Sequence, residues 1–351
     1  MFSFGSQFKA KKLFVGLVVF GWLVLVGCGP VQDDDVSQTL SPDSEQLDSS
    51  GQGYPAPGNL DGYPVPSPEV ALQEPPPILP TFPGKIAFQT EQFNGNLQVA
   101  LFDGATGEIS QLNSAFAQSF EPAWAPDCTS LIYTIGQAGS GDFEIYQQPL
   151  SGGEASLFIN HENFYDWGAD WSAVNDVVAY QTNENALINV CFADANGNEL
   201  GCMERSEFSN AMPAWSPDGT HLVFSSNRDQ NWELYLVDYP GLSSVTQLTA
   251  NGGTNFDAVF SADGRTILFS SQRGAAFNIY SIEANGQNER QLTTDGADER
   301  YPVWVGESLV AYSGGLQDET DLYLMNADGS NSQRLTYSAG KDEWPSWCAA
   351  P

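Results

Sequence analysis

The segment "MPAWSPDGTHLVFSS" (Met212–Ser226) is not unique in this chain. Related runs are "EPAWAPDCTSLIYT" from 121, "GADWSAVNDVVAYQ" from 168, "DAVFSADGRTILFSS" from 257 and "YPVWVGESLVAYSG" from 301. The aromatic they share falls at Trp124, Trp171, Trp215, Phe260 and Trp304, in steps of 47, 44, 45 and 44 residues. Trp347 follows after 43 more. A period near 44 residues suits a four-stranded propeller blade and is too long for most helical solenoid repeats.

Inside each unit the apolar residues alternate with period two, which is the signature of strands. Taking the shared aromatic as the end of a strand A, "THLVFSS" and "RTILFSS" are strand B. "WELYLVD", "FNIYSIE" and "TDLYLMN" are strand C, and "VTQLT", "ERQLT" and "SQRLT" are strand D. Gly-containing turns such as "SPDGT", "ANGQN" and "NADGS" separate them. The repeat region opens on a strand B, "GKIAFQT" from 84, with no strand A before it. It ends on a strand A, "DEWPSWC" from 342, with no B, C or D after it. The spacing therefore predicts an all-β, six-bladed propeller over residues 84–351, in which the last strand completes the first blade and no sheet edge is left open.

These motifs, above all "PAWSPDGTHLVFSSNRD" and "DLYLMNADGSNSQRLT", resemble the WD40-like PD40 repeats of TolB-type six-bladed propellers. The resemblance implies the fold and leaves function to the site, since one fold hosts many functions. TolB carries an α/β domain before its propeller, and here a Pro-rich segment stands in that place. The repeats also resemble the propeller of prolyl-oligopeptidase-type peptidases, where a separate hydrolase domain supplies the chemistry. This chain has no G-x-S-x-G elbow.

Residues 1–27 read as a signal peptide: "FKAKK" is a basic start and "LFVGLVVFGWLVLV" (Leu13–Val26) an apolar run too short to span a bilayer comfortably. The run ends in "LVGC", which resembles a bacterial lipobox and implies cleavage before Cys28 and lipidation of its sulfur with palmitate-like chains. Residues 28–83 read as a disordered, Pro-rich acidic tether, since residues 29–83 hold 12 of the 21 prolines, nine acids and no base. Its reach lies between roughly 40 Å as a coil and about 170 Å as polyproline II. Removing the signal leaves nine bases against 44 acids, a formal charge of −35. Nucleic acid and anionic lipid surfaces are poor partners for such a chain, because both need a basic face.

Export places the remaining cysteines, Cys128, Cys191, Cys202 and Cys348, in an oxidising compartment, where four thiols allow three connectivities. Cys191 and Cys202 flank "FADANGNELG", whose centre is the turn dipeptide Asn196-Gly197, so a hairpin there sets them opposite one another. A bulge would relieve the strain of bridging at such a position. Cys128 falls in the A–B turn of blade 2 and Cys348 at the end of strand A in blade 1, so a bridge between them would lock the closure. Free buried thiols are the alternative for each pair.

Motifs with obvious chemistry are few. His161 and His221 fall in different kinds of segment, which speaks against a His-based zinc site. The "PDG" and "ADG" runs lack the spacing of a calcium loop and read as hairpin turns. One phased set is more suggestive: Ser119, Asp166, Asn210, Asn255, Glu299 and Asp342 each stand five residues before a blade's aromatic. At that point the D–A loop enters strand A, and the six are expected at the mouth of the central channel. There they would hold Ca²⁺ or a basic peptide end, or else cap the loop backbone. No other cofactor is expected. The D–A and B–C loops add Tyr165 and Trp167 in "NHENFYDWG", Trp232 in "NRDQNW", and Arg300 and Tyr301 in "DGADERY". Aromatics beside acids and amides suit a peptide or glycan surface. The expectation is a monomeric, extracytoplasmic, lipid-anchored binding or scaffold protein that recognises an envelope protein, peptide or glycan, anchored in the cell membrane or in an outer membrane where one exists. The rival reading is a propeller glycoside hydrolase or lyase using carboxylates of the same face, such as Asp166 or Glu299.

Overall fold

The computed structural model describes residues 81–349 apart from 94, 113–117, 137–142, 162–163, 184–186, 205–206 and 317–318. The signal segment, Cys28 and the Pro-rich segment up to residue 80 lie outside the described residues. The described residues form 24 strands and no helix. Blade 1 takes β1 (Lys85–Thr90), β2 (Gln98–Asp103) and β3 (Ile109–Gln111), and blade 2 takes β4–β7 (Gln118–Trp124, Ser130–Gly136, Phe143–Pro149, Ser156–Ile159). Blade 3 is β8–β11 (Asp166–Trp171, Val177–Thr182, Asn189–Asp194, Glu199–Cys202), and blade 4 is β12–β15 (Asn210–Trp215, His221–Ser226, Glu233–Asp238, Val245–Gln247). Blade 5 is β16–β19 (Thr254–Phe260, Thr266–Gln272, Phe277–Glu283, Arg290–Gln291), and blade 6 is β20–β23 (Asp298–Val305, Leu309–Leu316, Glu319–Asn326, Gln333–Arg334). The last strand, β24 (Asp342–Cys348), returns to blade 1, whose sheet order is β24-β1-β2-β3.

The closure is a register of paired residues, Lys85 with Cys348, Ile86 with Trp347, Ala87 with Ser346, Gln89 with Glu343 and Thr90 with Asp342. Strand A is innermost in every blade, because β24, β4, β8, β12, β16 and β20 touch one another in turn around the ring. The core lies between blades rather than within one. In β13, Leu222 and Phe224 pack towards blade 3 against Val190 and Phe192, while Val223 between them packs towards blade 5 against Ile267 and Phe269. Alternate side chains thus serve opposite neighbours, which is why the second strands are buried at nearly every position. The repeated tryptophans belong to these seams: Trp124 of blade 2 is buried and donates its indole N–H to the Ser346 carbonyl of blade 1 at 2.8 Å.

The turns follow the local sequence. In "SPDG" the Asp218 carboxylate accepts from Ser216 Oγ at 2.6 Å and from the Thr220 N–H at 3.0 Å, and Gly219 takes φ +68°. Those bonds hold the Asp218 carboxyl down at about 2. Asp127, Asp263 and Asp328 repeat the arrangement with their own turn residues. Both bridges are formed, Cys128–Cys348 between blades 2 and 1 and Cys191–Cys202 across the outer hairpin of blade 3. The hairpin carries a register shift between Phe192 and Ala193, next to the paired cysteines.

Candidate functional site

Connectivity gives the propeller two unlike faces. The A–B and C–D turns lie at one end, and there the chain enters, with the Phe82 N–H bonded to the Gly104 carbonyl and the Trp347 indole to the Pro83 carbonyl. The B–C and D–A loops lie at the opposite end, beside the N-terminal ends of the inner strands.

The six phased polar residues do not form the expected ring at the channel mouth. All are enclosed, at 0–1% exposure. Asp342 accepts from Thr90 Oγ1 at 2.5 Å and Ser338 Oγ at 2.6 Å. Asn255 donates to Glu233 at 2.7 Å and accepts from Ser271 at 2.6 Å. Asn210 accepts from Arg228 at 3.1 Å, and Ser119 Oγ from the Val99 N–H at 3.1 Å. Asp166 accepts from the backbone and ring nitrogens of His161. Glu299 has its carboxyl pushed up to about 7 by burial, with Thr293 opposing and Asp295 adding to the rise. Apart from Glu299 Oε2, which is buried without a hydrogen-bond partner, the oxygens named here bond within their own and adjoining strands and loops. Among the described residues no group of three or more His, Cys, Asp and Glu is arranged to hold a metal ion. Asp166 and Glu299, the carboxylates named for the hydrolase reading, are enclosed with the rest of the set.

The channel wall lies two residues further along each inner strand. At Glu121, Gly168, Met212, Asp257, Tyr301 and Trp344 the backbone turns left-handed, with φ between +53° and +58°. Each of these residues and its successor (Pro122, Ala169, Pro213, Ala258, Pro302, Pro345) together oppose a single residue of the second strand, so all six inner strands carry the same bulge. Proline has no N–H to lose and suits the unpaired position. Left-handed backbone is costly for residues other than glycine, and five of the six bulged positions, Glu121, Met212, Asp257, Tyr301 and Trp344, are not glycine. The six bulges enclose a central cavity of about 150 Å³.

The ring is symmetric in backbone and asymmetric in chemistry. In order around the axis it runs Trp344, Glu121, Gly168, Met212, Asp257, Tyr301. Tyr301 and Trp344 stack with ring centroids 3.9 Å apart. The Arg300 guanidinium lies over Tyr301 at 4.6 Å and over Phe277 at 4.4 Å, and bonds Asp257 Oδ2 at 3.2 Å. Burial opposes the Arg300 charge, but Tyr301, Asp257 and Glu343 outweigh it and raise its pKa. Phe277 meets Phe256, which meets Trp232, so an aromatic belt runs from the B–C loop of blade 4 to the channel. Tyr165 packs in a second group with Phe143 and Phe120. Trp167 is half-buried and pairs with Gln181 across the sheet. Burial pushes Glu121 up to about 8, opposed by a bond from the Gly168 N–H and reinforced by Asp257. Burial likewise lifts Asp170, just below the ring, to about 6 against bonds from the Trp215 and Trp171 N–H groups.

Of the loop residues singled out in the sequence, Trp232, Arg300 and Tyr301 fall into one cluster, Tyr165 into another, and Trp167 stands apart. The sequence reading missed Glu121, Met212, Asp257 and Trp344. Their signal was present as the residue before the Pro or Ala of each repeat. It also missed His161 as a junction: its ring stands between Asp166 at 3.0 Å and Glu199 at 3.1 Å and stacks on Tyr180.

The fold defines a class, the six-bladed β-propeller. Residues 201–348 match the PD40 family, described as the TolB beta propeller domain. Among solved structures the chain is similar to TolB from Acinetobacter baumannii at 23% identity, covering 75% of this chain and 66% of that one, with a TM-score of 0.64. It is similar to a putative TolB from Agrobacterium tumefaciens at 18% identity, covering 75% and 91%, with a TM-score of 0.59. Hydrazine synthase of Kuenenia stuttgartiensis shares the fold at 13% identity, covering 76% and 46%, with a TM-score of 0.63. The chain thus spans just under two thirds of the Acinetobacter TolB, and likeness at these identities carries the fold alone.

Proposed function

We propose that the chain is a non-catalytic, monomeric binding protein of the cell envelope, and that it recognises a protein or peptide on the face carrying the B–C and D–A loops and the upper channel. The observation that supports this most is the belt from Trp232 to Trp344, which gathers aromatics and an arginine on the face opposite the chain's entry. Aromatic and arginine clusters are the usual anchors of protein interfaces. Two disulfides fit an oxidising, extracytoplasmic compartment. On this reading the chain is anchored to the membrane through a lipidated Cys28. The test is photo-crosslinking in intact cells, with the probe at Trp232 or Tyr165 on the loop face and at Asn285 on the entry face. A discrete protein adduct from the loop-face probes and none from Asn285 is expected. Adducts from Asn285 alone would overturn the assignment of the face.

A further inference from the structure

Arg300 shows what the channel wall can hold. Its guanidinium is clamped between the Phe277 and Tyr301 rings, with the Asp257 carboxylate at its edge. The stack continues through Tyr301 to Trp344, whose ring lines the cavity. Beside Trp344 on the ring stands Glu121, and its Oε2 is buried without a hydrogen-bond partner. Across the cavity Asp257, with its side chain only 4% exposed, keeps Oδ1 unpartnered as well. A carboxylate next to an aromatic ring is thus present twice, once with a cation in it and once without.

We propose that the central channel is a receptor for one organic cation, the guanidinium or ammonium of a basic side chain on the binding partner, seated against Trp344 and paired with Glu121. This rests on the binding reading above and names the chemical group the partner must insert. The charge balance favours it. Asp257 and Asp170 line the cavity from β16 and β8, and Arg300 and Glu343 act on Tyr301 from β20 and β24, three acids to one base; Tyr301 itself adds no charge at neutral pH because burial drives its pKa well up. The cavity of about 150 Å³ admits a side-chain head group and no folded element. Gly168 keeps that wall low: a β-carbon there would collide with the Gln181 amide. Glu121 sits at about 8, so it is mostly neutral at pH 7 and must lose a proton to pair with a cation. Binding is then linked to proton release, with affinity rising roughly tenfold between pH 7 and pH 9 and flattening above.

The experiment titrates the full chain with capped arginine amide, capped lysine amide and capped citrulline amide, the last being neutral and close in shape to arginine. Calorimetry in two buffers of different ionisation enthalpy reads affinity and proton release together. Arginine or lysine is expected to bind at least tenfold more tightly than citrulline, with proton release at pH 7; which of the two is tighter tells guanidinium from ammonium. Glu121→Gln, which keeps shape and removes charge, should abolish both the preference and the pH dependence. Trp344→Leu should weaken binding with the pH dependence kept, and a Glu121→Asp variant guards against misfolding by restoring proton release. Equal binding of citrulline, no binding of any of the three, or an unchanged Glu121→Gln would each overturn the cation site. Crosslinking from Trp232 reports separately on the loop face, so a partner captured equally by wild type and Glu121→Gln would sink the cation site and leave the binding face standing.

Discussion

The bridge Cys128–Cys348 should be the more costly of the two disulfides to lose, and the structure fixes by how much. It joins residues 220 apart, while Cys191–Cys202 joins residues 11 apart. In the chain-entropy treatment, a loop of the first length removes about 5 kcal/mol of unfolded-state freedom and one of the second about 3 kcal/mol. At about 2 °C per kcal/mol for a domain of this size, the expected falls in melting temperature are about 10 °C and about 6 °C. The perturbations are two double variants, Cys128→Ser/Cys348→Ser and Cys191→Ser/Cys202→Ser, each melted under non-reducing conditions and followed by calorimetry. The first variant still folds, because the β24–β1 ladder supplies the closure without the sulfurs. What the bridge adds is a limit on how far the two ends of the toroid separate once that ladder opens. Equal falls, or a larger fall for the hairpin pair, would refute the reasoning that the seam bridge acts by tying the ends of the ring together.

Two further outcomes follow from the buried polar groups. Burial opposes protonation of His161, but Asp166 and Glu199 outweigh it and hold its pKa above the usual value. Stability from that ring is therefore full below about pH 6.5 and lost as pH rises through the raised native value, so His161→Gln should cost more at pH 6 than at pH 9 in urea melts, and Glu199→Gln should lower the imidazole titration midpoint seen by NMR. Asn255→Ala strips partners from Glu233 and Ser271, and a loss of about 1–3 kcal/mol in chemical denaturation is expected, with binding to the loop face unchanged.

The fold was legible because propeller repeats write their phase into the sequence. Trp124, Trp215 and Trp347 mark the end of an inner strand, and the lone strands at either extremity of the repeat region pair with each other. Turn chemistry was legible for the same reason: Asp218 and Gly219 meet a local demand that no distant contact alters. The hairpin bridge followed from symmetry about Asn196-Gly197. The polar set from Ser119 to Asp342 was found, but its direction was not. A strand of strict period two fixes which residues face the axis, and a bulge shifts that count by one. The inserted residue is defined by its pairing with the neighbouring strand, as where Glu121 and Pro122 both oppose Tyr133, and pairing is not written in either strand alone.

The same geometry explains where recognition can reside in a repeat protein. Positions that build blades must be alike, and here they are: the tryptophans, the Asp-Gly turns and the buried Ser/Asn/Asp/Glu set recur with small changes. Ring positions need only tolerate a left-handed backbone and admit Trp344, Glu121, Gly168, Met212, Asp257 and Tyr301 alike. Six unlike side chains on six identical bulges place a chosen set of groups around one axis at fixed spacing. The ring aromatics therefore fall on adjacent blades 6 and 1, with an acid on each flank and the uncharged Gly168 and Met212 opposite. A ligand entering along the axis meets a polarised wall that sorts it by charge and by flatness. Exchanging Glu121 and Met212 would keep the composition of the ring and the backbone of every blade, while removing the carboxylate from the side of Trp344. If selectivity resides in this arrangement, that exchange abolishes it with the melting temperature little changed.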